Sequence, residues 1–222
     1  VSTDFDESDR LYFEELSHET VLDIAAMERP AGVVVSVGGQ TPNNLAMGLH
    51  QSGVRILGTS VDAIDTCEDR FKFSKMCDQL RIDQPEWSEF TTVGEAFHFC
   101  LRAGYPVLVR PSYVLSGAAM RVVTSDVELE RFLQTAAVVS RDHPVVISKY
   151  ISGAKEVELD AVGQNGELLN YAIAEHVENA GVHSGDASLL LPAQKLFVET
   201  HRRVKMIGQK ICRALGISGP FN

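Results

Sequence analysis

The sequence has little of what marks disulfide-rich, membrane or nucleic-acid-binding proteins. Its 222 residues include four cysteines, and these form no CxxC pair and no disulfide-framework spacing. No run approaches about 18 consecutive apolar residues, and no signal-peptide pattern opens the chain. Basic residues number 20 against 30 acidic ones, which gives a formal net charge of −10. These absences argue against a nucleic-acid or membrane partner and predict a cytoplasmic protein with reduced thiols, mostly buried on helices.

The hydrophobic content, 45% of the residues, is enough for a substantial core in one large domain or two small ones. Residues 1–65 alternate as helix, strand, helix, strand. The pattern predicts a helix over 19–27, a buried strand over 32–37 and another over 54–58. Between them GGQTPNN, residues 38–44, predicts a turn with Thr41 as the helix N-cap. Its glycines could cradle a phosphate or simply form a structural turn, since the segment is not a GxGxxG fingerprint.

The remainder divides into two blocks, 66–148 and 149–222. In the first we predict a helix from Glu68 to about Leu80 with acidic residues in its first turn, and helices over 94–103 and 126–139. Trp87 is interpreted as a hydrophobic anchor.

In the second block, Asn165-Gly166 predicts a hairpin turn between strands. A helix over 197–215 follows, and its basic residues are interpreted as a solvated face: Arg202, Arg203, Lys205, Lys210 and Arg213. Residues 216–222 predict a turn that leads into a strand beyond the chain end. We therefore expect the chain to be cut from a longer protein.

The segment VLVRPSYVLSGAAM, residues 107–120, is the most informative one. A short apolar strand ends on Arg110, a loop of small residues follows, and a second strand begins near Met120. Small side chains let backbone N–H groups approach phosphate oxygens, and an arginine supplies a permanent cation with paired donors. The segment predicts either a phosphate-binding loop or an ordinary β-hairpin.

A second pattern lies in residues 143–160. A strand over 143–151 leads through Ser152-Gly153-Ala154 into an alternating run that places Glu156, Glu158 and Asp160 on one strand face. Like charges on one face need solvent or cations. The face is therefore either solvated or part of a nucleotide site in which Glu156 holds the ribose.

A third pattern is EHVENAGVHSGD, residues 175–186, which is unusually polar for a strand. The spacing of His176 and His183 matches no familiar zinc motif, and no nucleophile elbow supports a Ser-His-Asp hydrolase. An anion-binding loop with His183 as a hydrogen-bond donor is the stronger hypothesis.

Taken together, RPSYVLSGAAM, EDRFKF, HPVVISKYISGAKEVELDAV and EHVENAGVHSGDA resemble the large, synthetase component of carbamoyl-phosphate synthetase, in order and over essentially the whole chain. That family contains two homologous ATP-grasp halves. The opening segment and the SYVLSGAAM loop resemble the C-terminal half, which phosphorylates carbamate with ATP. The resemblance implies an α/β fold, with a Rossmann-like pre-ATP-grasp unit over 1–65 and a truncated ATP-grasp domain whose lobes cover 66–148 and 149–222.

The resemblance also implies roles for individual residues. Arg110 contacts the ATP phosphates, backbone groups of Lys149 and Ile151 recognise adenine, and Glu156 accepts hydrogen bonds from the ribose. The loop Gly181-Val182-His183-Ser184, with His176 behind it, lines the space where the γ-phosphate meets carbamate. His183 and Arg110 act as electrostatic stabilisers. Lys149 departs from the bacterial pattern, where a histidine is familiar.

The implied cofactors and partners extend beyond this chain. ATP is expected with Mg²⁺ or Mn²⁺, and the metal ligands are expected after residue 222. The implied partners are carbamate, the remainder of the synthetase and a glutaminase domain or subunit. We expect the 222 residues alone not to make carbamoyl phosphate. Another ATP-grasp ligase or carboxylase, and a non-catalytic nucleotide-binding module, are the alternatives.

Overall fold

A computed structural model describes residues 6–111, 120–139, 144–182 and 186–222. The chain forms two compact units, residues 1–61 and 62–222. The loop predicted over residues 112–119, together with His183 and Ser184, lies outside the described residues. Within the described residues, every helix is too short or too polar to span a lipid bilayer.

The first unit alternates helix and strand as predicted. It contains α1 (His18–Glu28), β1 (Val33–Val34), α2 (Gln40–Gln51) and β2 (Ile56–Leu57). The Ser17 hydroxyl accepts the Thr20 N–H at the start of α1. Strands β1 and β2 pair in parallel, with Val33 opposite Ile56.

Two local predictions in this unit are wrong. The strand predicted over 32–37 is only two residues long, because its partner β2 offers only two pairing residues and a turn begins at residue 36. Thr41 is not the N-cap of α2. The cap is Gly39, at φ +75°, and the helix begins at Gln40. Glycine adopts this left-handed conformation at little cost and brings the helix start forward.

The second unit begins with the helices α3 (Val61–Glu68) and α4 (Arg70–Gln79). Val61, the first residue of α3, is the last residue of the first unit. The sequence predicted a single helix from Glu68. Instead Glu68 ends α3, and Asp69 is the N-cap of α4, where its side chain accepts the Lys72 N–H at 2.9 Å. A capping aspartate satisfies an end N–H from outside the helix, which is why the chain breaks there.

The first lobe of this unit is a sheet in the order β3-β6-β4-β5, covered by helices. Its elements are β3 (Trp87–Phe90), α5 (Val93–Ala103), β4 (Val107–Pro111), β5 (Arg121–Val123), α6 (Asp126–Val139) and β6 (Val145–Lys149). Apolar side chains of β4, β5 and β6 pack with Phe99 of α5 and Leu129 of α6. The hairpin of β4 and β5 and the bounds of α6 confirm the predictions.

Trp87 anchors the start of β3, as predicted. Its ring lies 5.8 Å from Phe71 in an edge-on contact, and its Nε1 donates to the Asp78 carboxylate at 3.2 Å. An indole buries its apolar body best where its N–H finds such a partner.

The second lobe is a sheet in the order β10-β7-β8-β9, backed by a long helix. It comprises β7 (Lys155–Gln164), β8 (Glu167–Asn179), β9 (Leu189–Leu190), α7 (Val198–Leu215) and β10 (Gly219–Phe221). Asn165 and Gly166 form the predicted turn between β7 and β8, both at positive φ. Gly208 of α7 lies against Leu159 of β7.

Two predictions in this lobe need correction. The strand expected beyond the chain end is already present, since β10 pairs antiparallel with β7. The basic residues of α7 are not simply a solvated face. Arg203 forms an ion pair with Asp83, Lys205 lies 5.0 Å from the Tyr171 ring centre, and Lys210 donates to the Leu80 carbonyl. Long basic side chains reach partners beyond their own helix, so charge alone did not predict their environment.

All four cysteines are free thiols on helices: Cys67, Cys77, Cys100 and Cys212. Three are buried and Cys67 is exposed, so the prediction that the thiols are mostly buried on helices is confirmed. Although part of the Cys67 side chain is open to solvent, the protein atoms packed around its sulfur desolvate the thiolate and raise the pKa of Cys67 to about 11, with a smaller contribution from the charge of Glu68. Such a thiol is nearly all protonated at neutral pH and a poor nucleophile.

Candidate nucleotide site

The candidate site is formed by two sheets that share one connection, residues 150–154 between β6 and β7. Residues at the end of β6, along β7 and after β8 were predicted to bind ATP.

Arg110 lies on β4 on the face opposite the helices. Alternation on β4 sends Val107 and Val109, both fully buried, into the helix-covered core. Arg110 therefore points the other way, where its Nη2 donates to the Ser148 hydroxyl at 3.4 Å. Its Nε is buried and has no hydrogen-bond partner among the residues that the structure describes. An arginine with an unused buried donor is arranged to bind an anion.

A second cation, the guanidinium of Arg70, interacts electrostatically with Arg110. Burial lowers the pKa of Arg110, and the charge of Arg70, at the start of α4, lowers it further. Two like charges that repel each other in the protein alone are both stabilised by a bound polyphosphate. The sequence did not single out Arg70. The feature of the sequence that could have indicated Arg70 is its position at the helix start, directly after the capping Asp69.

Backbone hydrogen bonds fix the end of β6. The Lys149 N–H donates to the Glu86 carbonyl at 2.8 Å, and the Tyr150 N–H donates to the Pro106 carbonyl at 3.1 Å. Ile151 follows outside the strand with 55% of its surface exposed. Exposed backbone next to a fixed strand end is suited to bind the edge of a planar base.

Glu156 and Gly181 lie together. The Gly181 N–H points at Glu156 Oε2 at 3.4 Å, and the Ala180 N–H donates to the Ala154 carbonyl at 2.8 Å. Gly181 has φ +114°, and a Cβ built there would lie 3.6 Å from the Tyr150 hydroxyl. Three predicted parts of the site, the connection after β6, the start of β7 and the turn after β8, thus meet around Glu156. Val182 follows Gly181 and is partly exposed, and the predicted His183 and Ser184 lie outside the described residues.

His176 lies on β8 and is 1% exposed. Its Nε2 is 3.1 Å from Glu158 Oε1, an ion-pair distance without the angles of a hydrogen bond, and its Nδ1 has no hydrogen-bond partner in the described part of the chain. The sequence singled out Glu158 only as one member of a carboxylate face. The structure gives it a specific neighbour.

The three carboxylates of β7 have different environments. Glu156 meets Gly181, Glu158 meets His176, and Asp160 accepts the Asn222 amide at 3.0 Å. Each thus has a polar neighbour; Asp160 is exposed, whereas Glu156 and Glu158 are partly buried. A cavity of about 480 Å³ with largely apolar walls borders Glu156 and Glu158. Apolar walls lower the local dielectric and strengthen the electrostatics of both groups.

Glu175 faces the other side of β8 and is fully buried. Lys155 Nζ is 3.1 Å from its carboxylate, and the Lys195 N–H donates to it. Burial by itself would raise the pKa of Glu175, but the hydrogen bonds from Lys155 and from the Lys195 and Gln194 backbone outweigh it and lower the pKa. Glu175 therefore ties the chain after β9 to the sheet.

A metal site is not formed by these residues. Among those the structure describes, no group of three or more His, Cys, Asp or Glu side chains is arranged to hold a metal ion. The orphaned Nε of Arg110 and the position of Glu156 fit a nucleotide.

The fold belongs to the ATP-grasp class, preceded by a pre-ATP-grasp domain. The biotin carboxylase domain of 2-oxoglutarate carboxylase from Hydrogenobacter thermophilus, solved with MgADP, ADP and bicarbonate, superposes with a TM-score of 0.78 at 17% identity, over 97% of this chain and 51% of that one. D-alanine–D-alanine ligase from Bacillus anthracis gives 0.64 at 22% identity, over 94% of this chain and 67% of that one. At these identities the likeness concerns the fold.

Family models then identify the chain more closely. Residues 1–66 match the carbamoyl phosphate synthase preATP-grasp domain, and residues 69–222 match the ATP binding domain of the carbamoyl-phosphate synthase L chain. The chain belongs to the carbamoyl-phosphate synthase large-chain family.

Curated relatives are similar in sequence to this chain over its whole length. Multifunctional protein pyrABCN of Emericella nidulans is 60% identical over 222 residues, and the arginine-specific large chain of carbamoyl phosphate synthase from Schizosaccharomyces pombe, a mitochondrial protein, is 55% identical. The match covers 100% of this chain in both cases, but only 10% and 19% of those proteins. The chain thus spans about a tenth to a fifth of the length of these curated relatives.

Proposed function

We propose that this chain binds ATP and transfers its γ-phosphoryl group to carbamate, as the ATP-grasp part of a carbamoyl-phosphate synthetase. The observation that carries the proposal is Arg110, on the sheet face away from the core, whose buried Nε has no partner within residues 6–111, 120–139, 144–182 and 186–222. Family membership supports the same reading, because the matched model is an ATP binding domain. The C-terminal half of the synthetase is proposed from the opening segment and the small-residue loop.

ATP is proposed to span the two sheets. Adenine binds the backbone of residues 149–151, and the ribose hydroxyls donate to Glu156, which already lies beside Gly181. The phosphates run toward Arg110 and Arg70. This arrangement distributes recognition over both lobes, so that binding holds the lobes in a fixed relation and places the γ-phosphate.

In the reaction a carbamate oxygen forms a bond to the γ-phosphorus, the bond to the β–γ bridging oxygen breaks, and ADP leaves with that electron pair. Arg110 stabilises the charge on the transferring group, and we assign His183 the same task across the turn. His176, held next to Glu158, supports that turn from the sheet below.

ATP is used as its magnesium complex, a requirement of phosphoryl transfer in general. Since no group of three or more potential ligand side chains lies together among the described residues, the metal ligands are proposed to lie after residue 222. Relatives that are multifunctional proteins support association with the rest of a synthetase. A glutaminase that supplies ammonia and a cytoplasmic location are part of the same proposal.

Acceptor choice in the full-length enzyme tests this function. Wild type should consume ATP with carbamate and, at its other ATP-grasp half, with bicarbonate. Arg110→Ala should abolish most carbamate phosphorylation while bicarbonate-dependent ATP hydrolysis persists. Loss of the bicarbonate reaction with retention of the carbamate one would assign this chain to the other half. Loss of neither would overturn the site.

A further inference from the structure

The side chain of Lys149 is used inside the protein. Its Nζ donates to the Gly104 carbonyl at 2.8 Å and to the Tyr105 carbonyl at 3.0 Å. Gly104 is the C-cap of α5. An ammonium at this point satisfies carbonyls that the helix leaves open and complements the negative end of the helix dipole.

The same segment is fixed by two backbone hydrogen bonds, from Lys149 to Glu86 and from Tyr150 to Pro106. The side-chain contacts therefore tie the end of β6 to the end of α5, directly before the connection that crosses to the second sheet. Lys149 is the last residue of β6 and lies opposite Val107 of β4. Any displacement of this strand end moves residues 150–151 with it.

We propose that Lys149 is a positioning residue that sets the adenine-binding backbone, and thereby the nucleotide specificity, through its bonds to the end of α5. The proposal rests on the proposed function, since it requires that adenine bind residues 149–151. The side chain itself does not contact the nucleotide. Its two bonded carbonyls draw it toward α5.

Base discrimination is sensitive to this placement. Adenine presents its exocyclic amine as a donor where guanine presents a carbonyl acceptor, so a backbone edge that fits one mismatches the other. A backbone edge discriminates only when it is held in register with the base. Displacement by about 1 Å can cost on the order of 100-fold in catalytic efficiency. Loss of the Lys149 side-chain bonds should release the end of β6, and this should weaken ATP binding and reduce the preference for ATP over GTP.

Lys210 offers a matched control. Its Nζ donates at 2.9 Å to the carbonyl of Leu80, the C-cap of α4. The chemistry is the same, a lysine ammonium on the end of a helix, but the helix and strand involved are not those of the adenine segment. If Lys149 only stabilised the fold, its substitution and that of Lys210 would have the same effect on nucleotide binding.

The experiment compares Lys149→Met, Lys149→Arg and Lys210→Met in the full-length enzyme. The readouts are KM and kcat for ATP and GTP with carbamate as the acceptor, together with the midpoint of thermal unfolding. Lys149→Met should raise the KM for ATP about 5- to 20-fold with kcat changed less than about twofold, and should reduce the ATP-over-GTP ratio of kcat/KM at least about fivefold. Lys149→Arg should recover part of both, because a guanidinium can donate to both carbonyls.

Lys210→Met should lower the unfolding midpoint but leave the KM for ATP and the nucleotide ratio unchanged. The proposal is overturned if Lys149→Met keeps both wild-type values, or if Lys210→Met changes them equally. Should Lys149→Met fail to fold, Lys149→Gln gives the same comparison with a polar, uncharged side chain that is shorter than lysine. A wild-type enzyme that does not phosphorylate carbamate would instead overturn the proposed function, and this inference with it.

Discussion

His176 Nε2 lies 3.1 Å from Glu158 Oε1 across two antiparallel strands. Glu158 pairs directly with Ala174, so His176 is its diagonal neighbour on the same sheet face. The histidine is almost completely buried, and its Nδ1 has no hydrogen-bond partner among the described residues. Glu158 and Glu178 both interact with it electrostatically, and β8 ends at Asn179, before the turn at Gly181.

We predict that Glu158→Ala destabilises this part of the sheet. It removes the carboxylate that lies 3.1 Å from the buried imidazole, a loss of about 1–3 kcal/mol. Amide hydrogen exchange in peptides spanning residues 172–178 should become about 5- to 150-fold faster under conditions where exchange follows local opening. Asp160→Ala, on the same strand face but more exposed, is the control. Equal effects of the two changes would contradict a specific pair.

Arg110 should contribute to turnover through paired, charge-assisted contacts. We expect Arg110→Ala to lower kcat/KM for carbamate phosphorylation by about 10- to 150-fold, which corresponds to about 1.5–3 kcal/mol. Arg110→Lys should recover only part, because it keeps the charge and loses the planar fork. Arg102→Ala removes an exposed arginine that pairs with Glu86 and should have no effect. Wild-type kinetics in Arg110→Ala would show that no phosphate binds there.

Glu156 should determine affinity for the ribose. Glu156→Gln is expected to weaken ATP binding modestly, because the amide keeps one acceptor and loses the charge. Glu156→Ala should weaken it more, since the Gly181 N–H also loses its neighbour. Isothermal titration with a non-hydrolysable ATP analogue measures both. Glu199→Gln, at a fully solvated helix start, is the control, and unchanged affinity in both Glu156 variants would remove Glu156 from the site.

Glu175 predicts a pH dependence of local stability. Its pKa is lowered below the ordinary 4.5. A carboxylate with a lowered folded pKa stabilises the fold above its ordinary pKa, and that contribution is lost as the pH falls through the folded value.

Protection of the Lys195 amide, after correction for intrinsic exchange rates, should therefore be constant above about pH 5 and should fall at more acidic pH. Glu175→Gln should lower protection at neutral pH and remove most of the acid dependence. An acid dependence that persists unchanged in this variant would assign it to another carboxylate.

Local patterns predicted much of the secondary structure. The bounds of α6 and the turn at Asn165-Gly166 were correct because periodicity and positive φ act over a few residues. The alternation on β7 likewise assigned Glu156, Glu158 and Asp160 to one face. The quoted motifs also gave the family, which is a property of the sequence and needs no coordinates.

Contacts between distant parts of the chain were decided only by the tertiary structure. The length of β1 depends on its partner strand, and the environments of Arg203 and Lys210 depend on α4 and the loop after it, more than 100 residues earlier. In the same way, Lys149 was predicted to supply backbone groups, and only the packing of β6 beside α5 directs its ammonium to Gly104 and Tyr105. A sequence pattern specifies which face a side chain occupies, but the partner on that face is fixed when the elements pack together.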